Sequence, residues 1–231
     1  LTLHKGMTKD VVHAAGIATP DYAVIHDLAD LENLKLPMPL FAKPLAEGTG
    51  KGVDAQSKIN NTAQLQHVCG RLLHEYKQPV LVERFLPGRE FTVGILGTGK
   101  QARALATMEI KLLEQADSDV YSYRNKEECE ELVHYELLPA GELRRQVEAL
   151  ALDAWRALNC LDAGRLDVRL DEHRKPGFIE VNPLAGIHPE HSDLPIMASM
   201  VGVTYRQLIA TIMDSAVRRH GLAAKRQTQA A

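Results

Sequence analysis

Gly164-Arg-Leu-Asp-Val-Arg-Leu170 and Gly177-Phe-Ile-Glu-Val-Asn182 are the two stretches that decide the fold. Polar and apolar residues alternate along both, and a short turn separates them, which predicts two antiparallel strands joined as a hairpin. Alternate side chains share one face of a strand, so the polar residues of the two strands are expected to come together. These residues are Arg165, Asp167, Glu180 and Asn182.

This polar face gathers two carboxylates, an amide oxygen and a guanidinium. Oxygen ligands without His or Cys suit Mg²⁺, which binds one or two carboxylates together with phosphate oxygens. The alternative is a solvated polar face with an incidental salt bridge, which a half-exposed strand shows by default. We predict that the opposite, apolar face packs on a helix layer through Leu166, Val168, Ile179 and Val181.

Outward from the hairpin, the sequence predicts short strands and amphipathic helices. Apolar spacing and capping residues predict helices at 4–15, 27–32, 61–75, 141–158 and 204–220. Runs of β-branched and apolar residues predict strands at 22–25, 39–43, 80–83, 90–96 and 102–110, with antiparallel neighbours because the connections are short. The polar segment 112–138 lacks periodicity and is predicted to be a long surface loop, of the kind that often acts as a lid.

Two further segments could bind a phosphorylated ligand. Lys43 ends a predicted strand and precedes Glu47-Gly-Thr-Gly-Lys-Gly52, whose glycines let backbone N–H groups approach phosphate oxygens. The order of residues is not that of a P-loop, and an ordinary mobile turn is the alternative. Glu83 ends a second apolar strand and Glu90 follows it, so the two carboxylates could bracket an adenine and a ribose, or belong to an ordinary strand and turn.

Composition excludes several classes of protein. The 231 residues are 45% hydrophobic and 25% charged, and the net charge of -3 gives no electrostatic footprint for nucleic acid. No run of about 18 apolar residues could span a bilayer and no leader begins the chain, so we expect a cytoplasmic protein without membrane or nucleic-acid partners. Cys69, Cys129 and Cys160 are spaced too widely to indicate a zinc site or a disulfide framework.

The order of these segments resembles the ATP-grasp superfamily, and most closely the D-alanine–D-alanine ligase family. The segments that carry the resemblance are the Lys5 region, 40–44, 47–52, 82–92, 121–126, 164–167 and 180–186, and they cover nearly the whole chain. The resemblance implies an α+β fold in which two α/β subdomains with mainly antiparallel sheets grip ATP between them. It implies a first subdomain at 1–87, a second at 88–220 and a disordered tail at 221–231.

By this resemblance, the first subdomain would bind the nucleotide. Lys5 and Lys43 would contact the ATP phosphates. A flap would close over the phosphates through Glu47, Gly48, Thr49, Gly50 and Gly52. The adenine-binding hinge would consist of Glu83, Arg84, Phe85 and Leu86, and Glu90 would bind the ribose.

The second subdomain would contribute the metal and the catalytic groups. Magnesium, with manganese as a substitute, would be held by Asp167, Glu180 and Asn182. Lys126 would contact the transferred phosphate, while Arg165 and the backbone near Gly186 would stabilise the tetrahedral oxyanion.

The activity that the resemblance implies is ATP-dependent ligation of a carboxylate to an amine through an acyl phosphate, achieved mainly by positioning and charge neutralisation. The substrates would be small carboxylates and amines, in particular amino acids, and not necessarily D-alanine; a homodimer is left open. Two other functions fit the same residues. One is a non-catalytic ATP-binding module, and the other is a different ATP-grasp amino-acid or peptide ligase.

Three departures from the family pattern bear on the substrate. The flap reads Thr49-Gly-Lys51 where these ligases commonly carry two serines and a small apolar residue. The segment 187–195 is richer in charge and one residue longer, and it contains His188 and His191, which are more often ordinary loop groups than metal ligands. The family's N-terminal substrate domain is absent before Lys5 and the first residue is Leu1, so we expect a fragment.

Overall fold

The computed structural model describes residues 1–48, 50–112 and 133–222, and it shows two antiparallel sheets there. The first sheet has four strands in the order β1-β4-β2-β3. They are β1 (Tyr22–Ile25), β2 (Leu40–Pro44), β3 (Lys58–Ile59) and β4 (Val80–Arg84). Helix α1 (Lys5–Ala14) precedes this sheet, and α2 (Thr62–Tyr76) connects β3 to β4 and packs on the sheet through Leu65, Val68, Cys69 and Leu72.

The second sheet has five strands in the order β7-β6-β5-β8-β9. They are β5 (Glu90–Leu96), β6 (Arg103–Leu112), β7 (Val133–Leu137), β8 (Ala163–Leu170) and β9 (Pro176–Asn182). Its helices are α3 (Glu142–Ala157), α4 (Asp193–Met200) and α5 (Tyr205–Arg219). Short 3₁₀ turns occur at Leu28–Asn33, Ala55–Ser57 and Gly99–Gln101. The α+β fold with antiparallel sheets is confirmed.

Helices cover both faces of the second sheet, and they do so unequally. On one face α3 packs against β5, β8 and β9 through its buried residues Val147, Ala151, Ala154 and Trp155. On the other face α4 and α5 cover only part of the sheet, through Leu194, Met197, Ala198 and Leu208. Gly94 allows this close approach, because a Cβ there would lie 3.1 Å from the Cε of Met197. The polar side chains of β8 occupy the uncovered part.

Helix α1 contacts the cores of both sheets. Val12 is buried with α3 and the second sheet, whereas the Cα of Gly6 faces Val24 of β1 so closely that a Cβ would lie 3.1 Å from it. The segment after α1 continues the link, since Phe178 N of β9 donates to Ala18 O at 2.8 Å. The division into 1–87 and 88–220 therefore stays a prediction.

The prediction of a surface loop at 112–138 is wrong at its two ends. β6 continues to Leu112, and β7 pairs with it, with Glu136 opposite Glu109. The alternation of Val133, Tyr135 and Leu137 spans only five residues next to an acidic run, too short to stand out as a strand. Residues 113–132, like 223–231 of the expected tail, lie outside the described residues.

Helix α4 was not predicted either. It has eight residues and contains Pro195, which normally argues against a helix. Pro195 lies in the first turn, where no intrahelical bond to its nitrogen is needed. The helices predicted at 4–15, 61–75, 141–158 and 204–220 agree with the structure to within about two residues at each end.

A β-bulge in β9 changes the direction of Ile179. Asp167 pairs with Glu180, but the next residue, Val168, pairs with Phe178, so Ile179 has no residue opposite it. The prediction that Ile179 packs on the helix layer is therefore wrong: Phe178 is buried in that core, and Ile179 lines the cleft between the sheets. An inserted residue shifts the alternation by one position, which a polar–apolar pattern alone does not reveal.

We predict opposite effects of alanine at two glycines. A Cβ on Gly164 would lie 2.5 Å from Asn182 O and 2.7 Å from the Trp155 ring, so Gly164→Ala should destabilise the chain by about 1–3 kcal/mol. Gly70 lies inside α2 with its nearest neighbour, Leu28, 3.8 Å from the added carbon, so Gly70→Ala should stabilise it by up to about 1 kcal/mol. Urea unfolding measures both. A Gly164→Ala variant that is as stable as wild type, or more stable, would contradict the packing assigned to Gly164.

Candidate functional site

A cleft between the two sheets is lined by most of the predicted site residues. The space between its walls is about 730 Å³, which includes the part open to solvent. The predicted residues that line it are Lys5, Lys43, Glu47, Gly50, Glu83, Arg84, Phe85, Leu86, Glu90, Asp167 and Glu180. Those that were not predicted include Phe41, Pro44, Lys51, Val53, Arg169 and Ile179.

A buried charge cluster of Lys9, Glu83 and Lys43 forms the floor of the first sheet's side of the cleft. Lys43 Nζ lies 2.8 Å from Glu83 Oε1, and Lys9 Nζ lies 2.7 Å from Glu83 Oε2. The three side chains are at most 5% exposed. Lys9 Nζ also donates to Thr19 Oγ1 at 2.7 Å, and Thr19 Oγ1 donates to Phe178 O of β9 at 3.0 Å. The cluster thus reaches from α1 through β4 to the second sheet.

Burial and charge oppose each other within this cluster. Burial lowers the pKa of Lys9. Burial also disfavours the charged form of Glu83, but the ammonium groups of Lys43 and Lys9 outweigh it and hold the pKa of the carboxyl below its usual value. For Lys43, burial is likewise outweighed by the charge of Glu83, with Glu180 next, so its pKa is raised. The shifts of Glu83 and Lys43 thus favour their charged forms, whereas burial of Lys9 opposes its charge.

Glu83 Oε2 is held by Lys9 through charge rather than through a well-aligned hydrogen bond. The two atoms are in ion-pair contact at 2.7 Å, but their angles are not those of a hydrogen bond. Sequence reasoning assigned Glu83 and Lys43 but missed Lys9. The helical spacing could have indicated Lys9, because it lies four residues after Lys5 and therefore on the same face of α1.

Lys5 joins the glycine-rich flap to the second sheet. Its ammonium donates to the carbonyl oxygen of Glu47 and lies 3.9 Å from Glu180 Oε2. The Glu47 carboxylate accepts from Gln78 Nε2 at 2.8 Å, which fixes the base of the flap on β4's side. Gly50 and Gly52 have positive φ angles of 79° and 76°, so the flap turns through conformations that favour glycine. Gly48 O accepts from Lys51 N at 3.1 Å, and Thr49 lies outside the described residues.

The predicted adenine hinge follows β4 into the second sheet. Phe85 and Leu86 are buried at 5% and 6% exposure, and the side chain of Arg84 pairs with Glu172. Arg169 of β8, which was not predicted, places its guanidinium 4.7 Å from the centre of the Phe85 ring. Its Nη1 donates to Glu90 Oε2 at 3.2 Å, so Arg169 also orients the carboxylate that is predicted to bind the ribose.

Arg169 could have been found from the sequence. It continues the alternation of Arg165 and Asp167 along β8, so it belongs to the same polar face. Opposite it, Glu90 pairs with Arg169 in the sheet register. The polar face is therefore one residue longer than predicted.

The hairpin brings the predicted metal ligands together. Asp167 lies opposite Glu180 and Arg165 opposite Asn182 in the register of β8 and β9. Thr92 Oγ1 of β5 donates to Asp167 Oδ1 at 2.9 Å, and Asn182 Oδ1 accepts from Leu184 N at 3.1 Å. No group of three or more His, Cys, Asp or Glu side chains that could hold a metal occurs in the described part of the chain. Two carboxylates and one amide oxygen fit Mg²⁺, which completes its coordination with water and phosphate oxygens.

The two described residues predicted for catalysis lie at the edge of this hairpin. Arg165 Nη1 lies 3.2 Å from both carboxylate oxygens of Asp167 and 3.1 Å from Asp193 Oδ2, a contact that was not predicted. A Cβ on Gly186 would lie 2.6 Å from Ser192 Oγ, which also accepts from His188 N at 3.0 Å, so the loop before α4 closes on Ser192. The rings of His188 and His191 stack with centroids 4.8 Å apart. Lys126 lies outside the described residues.

The arrangement suits an anionic ligand with a planar base. Lys5 and Lys43 line the cleft on one side, two carboxylates face them from the hairpin, and Phe41 and Phe85 stack 6.4 Å apart on the apolar wall. Cations and carboxylates held together at low exposure can bind a phosphate–metal complex, because the metal neutralises the carboxylates and the lysines neutralise the phosphates.

Comparisons with known proteins agree on one family. The model described as the D-ala D-ala ligase C-terminus matches residues 11–214. The D-alanine--D-alanine ligase of Bordetella avium is 34% identical over 220 residues, which cover 94% of this chain and 66% of that protein. The corresponding ligase of Bordetella petrii is 33% identical over 221 residues, covering 94% and 64%. The chain thus spans about two thirds of the length of the curated relatives that it matches.

Solved structures show the same fold. The D-alanine--D-alanine ligase from Bacillus anthracis complexed with ATP matches with a TM-score of 0.74 and 22% identity, covering 96% of this chain and 68% of that one. The VanG D-Ala:D-Ser ligase from Enterococcus faecalis matches with a TM-score of 0.75 and 21% identity, covering 93% and 62%. Among the described residues, no single helix is long and apolar enough to cross a membrane, although the bent pair α4 and α5, at 114°, passes the same test jointly.

We predict an order of stability for variants of the charge cluster. Glu83→Gln removes the carboxylate that contacts both buried ammonium groups and should cost about 3–5 kcal/mol, whereas Lys9→Met leaves the neutral pair of Lys43 and Glu83 and should cost less. Adding Lys9→Met to Glu83→Gln should recover part of the loss. Urea unfolding at neutral pH measures the three variants, with Lys100→Met at an exposed position as the control. A loss in Lys9→Met as large as in Glu83→Gln would contradict this account.

Proposed function

Because this chain belongs to the D-Ala–D-Ala ligase C-terminal family of ATP-grasp proteins, we propose that it binds Mg-ATP in the cleft and provides the phosphoryl-transfer half of a carboxylate–amine ligase. The observation that carries the proposal is the pairing of Asp167 with Glu180 on the wall opposite Lys43 and Glu83. The charge of Glu180 acts on Lys43 across the cleft, so the two walls form one electrostatic unit.

The adenine is proposed to lie against the hinge. Glu83 lines the cleft, and a carboxylate oxygen there can accept a hydrogen bond from the amino group of adenine. Phe85 and Leu86 give the ring an apolar surface, and Arg169 fixes Phe85 from the other side. Glu90 is proposed to accept from the ribose hydroxyl groups, with its orientation held by Arg169.

The phosphates are proposed to lie between Lys5, Lys43 and the flap. Lys5 already donates to the flap carbonyl of Glu47 and approaches Glu180, so it is positioned between the two walls. The backbone N–H groups near Gly50 can turn toward phosphate oxygens because positive φ costs little there. Asp167, Glu180 and Asn182 would hold Mg²⁺, which when bound neutralises phosphate charge and so eases attack by a carboxylate.

Arg165 is proposed to stabilise the oxyanion that forms when the amine attacks the acyl phosphate. Its guanidinium is nearly buried and held by carboxylates, so it costs little reorganisation at the moment of reaction. Lys126 and Gly186 are proposed to contact the transferred phosphate and the oxyanion, as the family resemblance implies.

The substrates are proposed to be amino acids or small peptides. The relatives are named as D-alanine--D-alanine ligases and one neighbouring structure as a D-Ala:D-Ser ligase. The loop before α4 carries His188, Glu190 and His191 and lies next to Arg165 through Asp193. We therefore propose that the second substrate differs from D-alanine or tolerates a polar side chain.

The test of this function measures the release of ADP from ATP in the presence of MgCl₂ and a panel of D- and L-amino acids. The products are identified by mass spectrometry. The expected result is ADP release that depends on an amino-acid pair and a product whose mass equals the two substrates minus water. Nucleotide binding without turnover on any pair would favour the non-catalytic ATP-binding module. An absence of nucleotide binding would refute the proposal.

We also predict that Glu180→Gln raises the Mg²⁺ concentration needed for ATP binding, by about tenfold or more, because a carboxylate ligand becomes a neutral amide of nearly the same shape. Calorimetric titration with ATP at a series of MgCl₂ concentrations measures the shift. Glu142→Gln is the matched control, since Glu142 lies on the exposed side of α3 with 65% of its side chain accessible. Equal magnesium dependence in wild type and Glu180→Gln would remove Glu180 from the ligand set.

A further inference from the structure

Arg165 lies between carboxylates from two different elements. Nη1 contacts Asp167, two residues along the same strand, and it contacts Asp193 at the first residue of α4. The side chains of Arg165, Asp167 and Asp193 are 10%, 8% and 19% exposed, so solvent screens these contacts only weakly. One positive group is therefore shared by two negative ones.

Asp167 also has polar neighbours other than Arg165. Thr92 Oγ1 donates to it, and Glu180 lies opposite it across the hairpin. If Asp167 binds magnesium, as in the proposed function, a dication takes up its negative charge and repels the guanidinium beside it. A second carboxylate in contact with the guanidinium offsets this repulsion, and the low exposure of the site makes that contribution large.

Asp193 provides that anion from a fixed position. It opens α4, whose next residues, Leu194, Met197 and Ala198, are buried against the second sheet. The close approach of α4 at Gly94, the residue opposite Arg165 in the sheet, sets the distance between Asp193 and the guanidinium. A carboxylate in the first turn also interacts favourably with the helix dipole.

We propose that Asp193 is a positioning residue that holds the Arg165 guanidinium in its place beside the hairpin while Asp167 is engaged by magnesium. This inference rests on the proposed function, in which Asp167 is a magnesium ligand. Without Asp193, the guanidinium has Asp167 as its remaining carboxylate partner of the two, and it competes with magnesium for that carboxylate. If Asp193 only stabilised the first turn of α4, its replacement would not make Arg165 compete with magnesium.

The test is a double-mutant cycle on the magnesium dependence of ADP binding. Calorimetry with ADP at a series of MgCl₂ concentrations is applied to wild type, Asp193→Asn, Arg165→Met and the double variant. Asp193→Asn should raise the magnesium concentration at half-maximal affinity by roughly three- to tenfold, the effect of one hydrogen bond of ordinary net strength. In the Arg165→Met background the same change should have no effect, since no guanidinium competes for Asp167.

Asp153→Asn is the matched control, because it removes the same charge from an exposed residue of α3 that pairs with Arg156 at 3.2 Å. It should leave the magnesium dependence unchanged. A second measurement follows the Nη signals of Arg165 in protein labelled with ¹⁵N-arginine, which are identified by their loss in Arg165→Met. With Mg-ADP bound, the Nη hydrogens of Arg165 should exchange with water faster in Asp193→Asn than in wild type or Asp153→Asn.

Each outcome decides the proposal. The predicted shift, its dependence on Arg165 and the faster exchange together support it. An equal shift in both Arg165 backgrounds, or unchanged Nη signals in Asp193→Asn, overturns it while leaving the proposed function intact. Wild type that binds no ADP at any magnesium concentration overturns the proposed function, and this inference with it, a result visible before any variant is compared.

Discussion

The buried ion cluster of Lys9, Glu83 and Lys43 is the interaction on which the rest of the structure depends. One carboxylate from β4 holds an ammonium from α1 and another from β2, and a chain of hydrogen bonds through Thr19 extends to Phe178 of β9. Charges at this depth are tolerable only when oppositely charged groups contact one another. The relative position of α1, the first sheet and the edge of the second sheet is therefore constrained by the need to keep these three charges together. The cleft is the space that this constraint leaves open.

The chemistry of the cleft comes from strand register rather than from any single motif. Antiparallel pairing sets Glu90 opposite Arg169, Asp167 opposite Glu180 and Arg165 opposite Asn182, so one face of the second sheet carries a row of alternating charges. The bulge at Ile179 restores an apolar residue to the cleft beside Glu180 and places Phe178 in the core. Polar side chains are thus held by backbone pairing and by the core beneath them, which is why the site can be rigid although it lies at the edge of a sheet.

The sequence was informative where chemistry follows alternation or capping, and uninformative where it depends on contacts between distant segments. The hairpin, the polar residues that face each other across it, and helices α1 and α2 could be predicted. Their polar and apolar residues repeat with the periods of a strand (two residues) and a helix (3.6 residues), which can be read from short stretches of sequence. Arg169 and Lys9 were overlooked although the same periods point to them. Asp193 could not have been found, because its position beside Arg165 depends on how α4 packs at Gly94. The strand β7 and the bulge at Ile179 were missed for a related reason: each is defined by its partner strand and not by its own residues.

The chain's single tryptophan is placed where it reports on one half of the fold. Trp155 is fully buried against Gly164, and its indole donates to Gly97 O at 3.1 Å, so its ring contacts the base of the hairpin and the end of β5. Its fluorescence emission is therefore an intrinsic optical signal for the second sheet and is blind to the first. Circular dichroism in the far ultraviolet registers both sheets together. Comparing the two signals during denaturation distinguishes a chain that unfolds as one cooperative unit from one whose first sheet unfolds before the second.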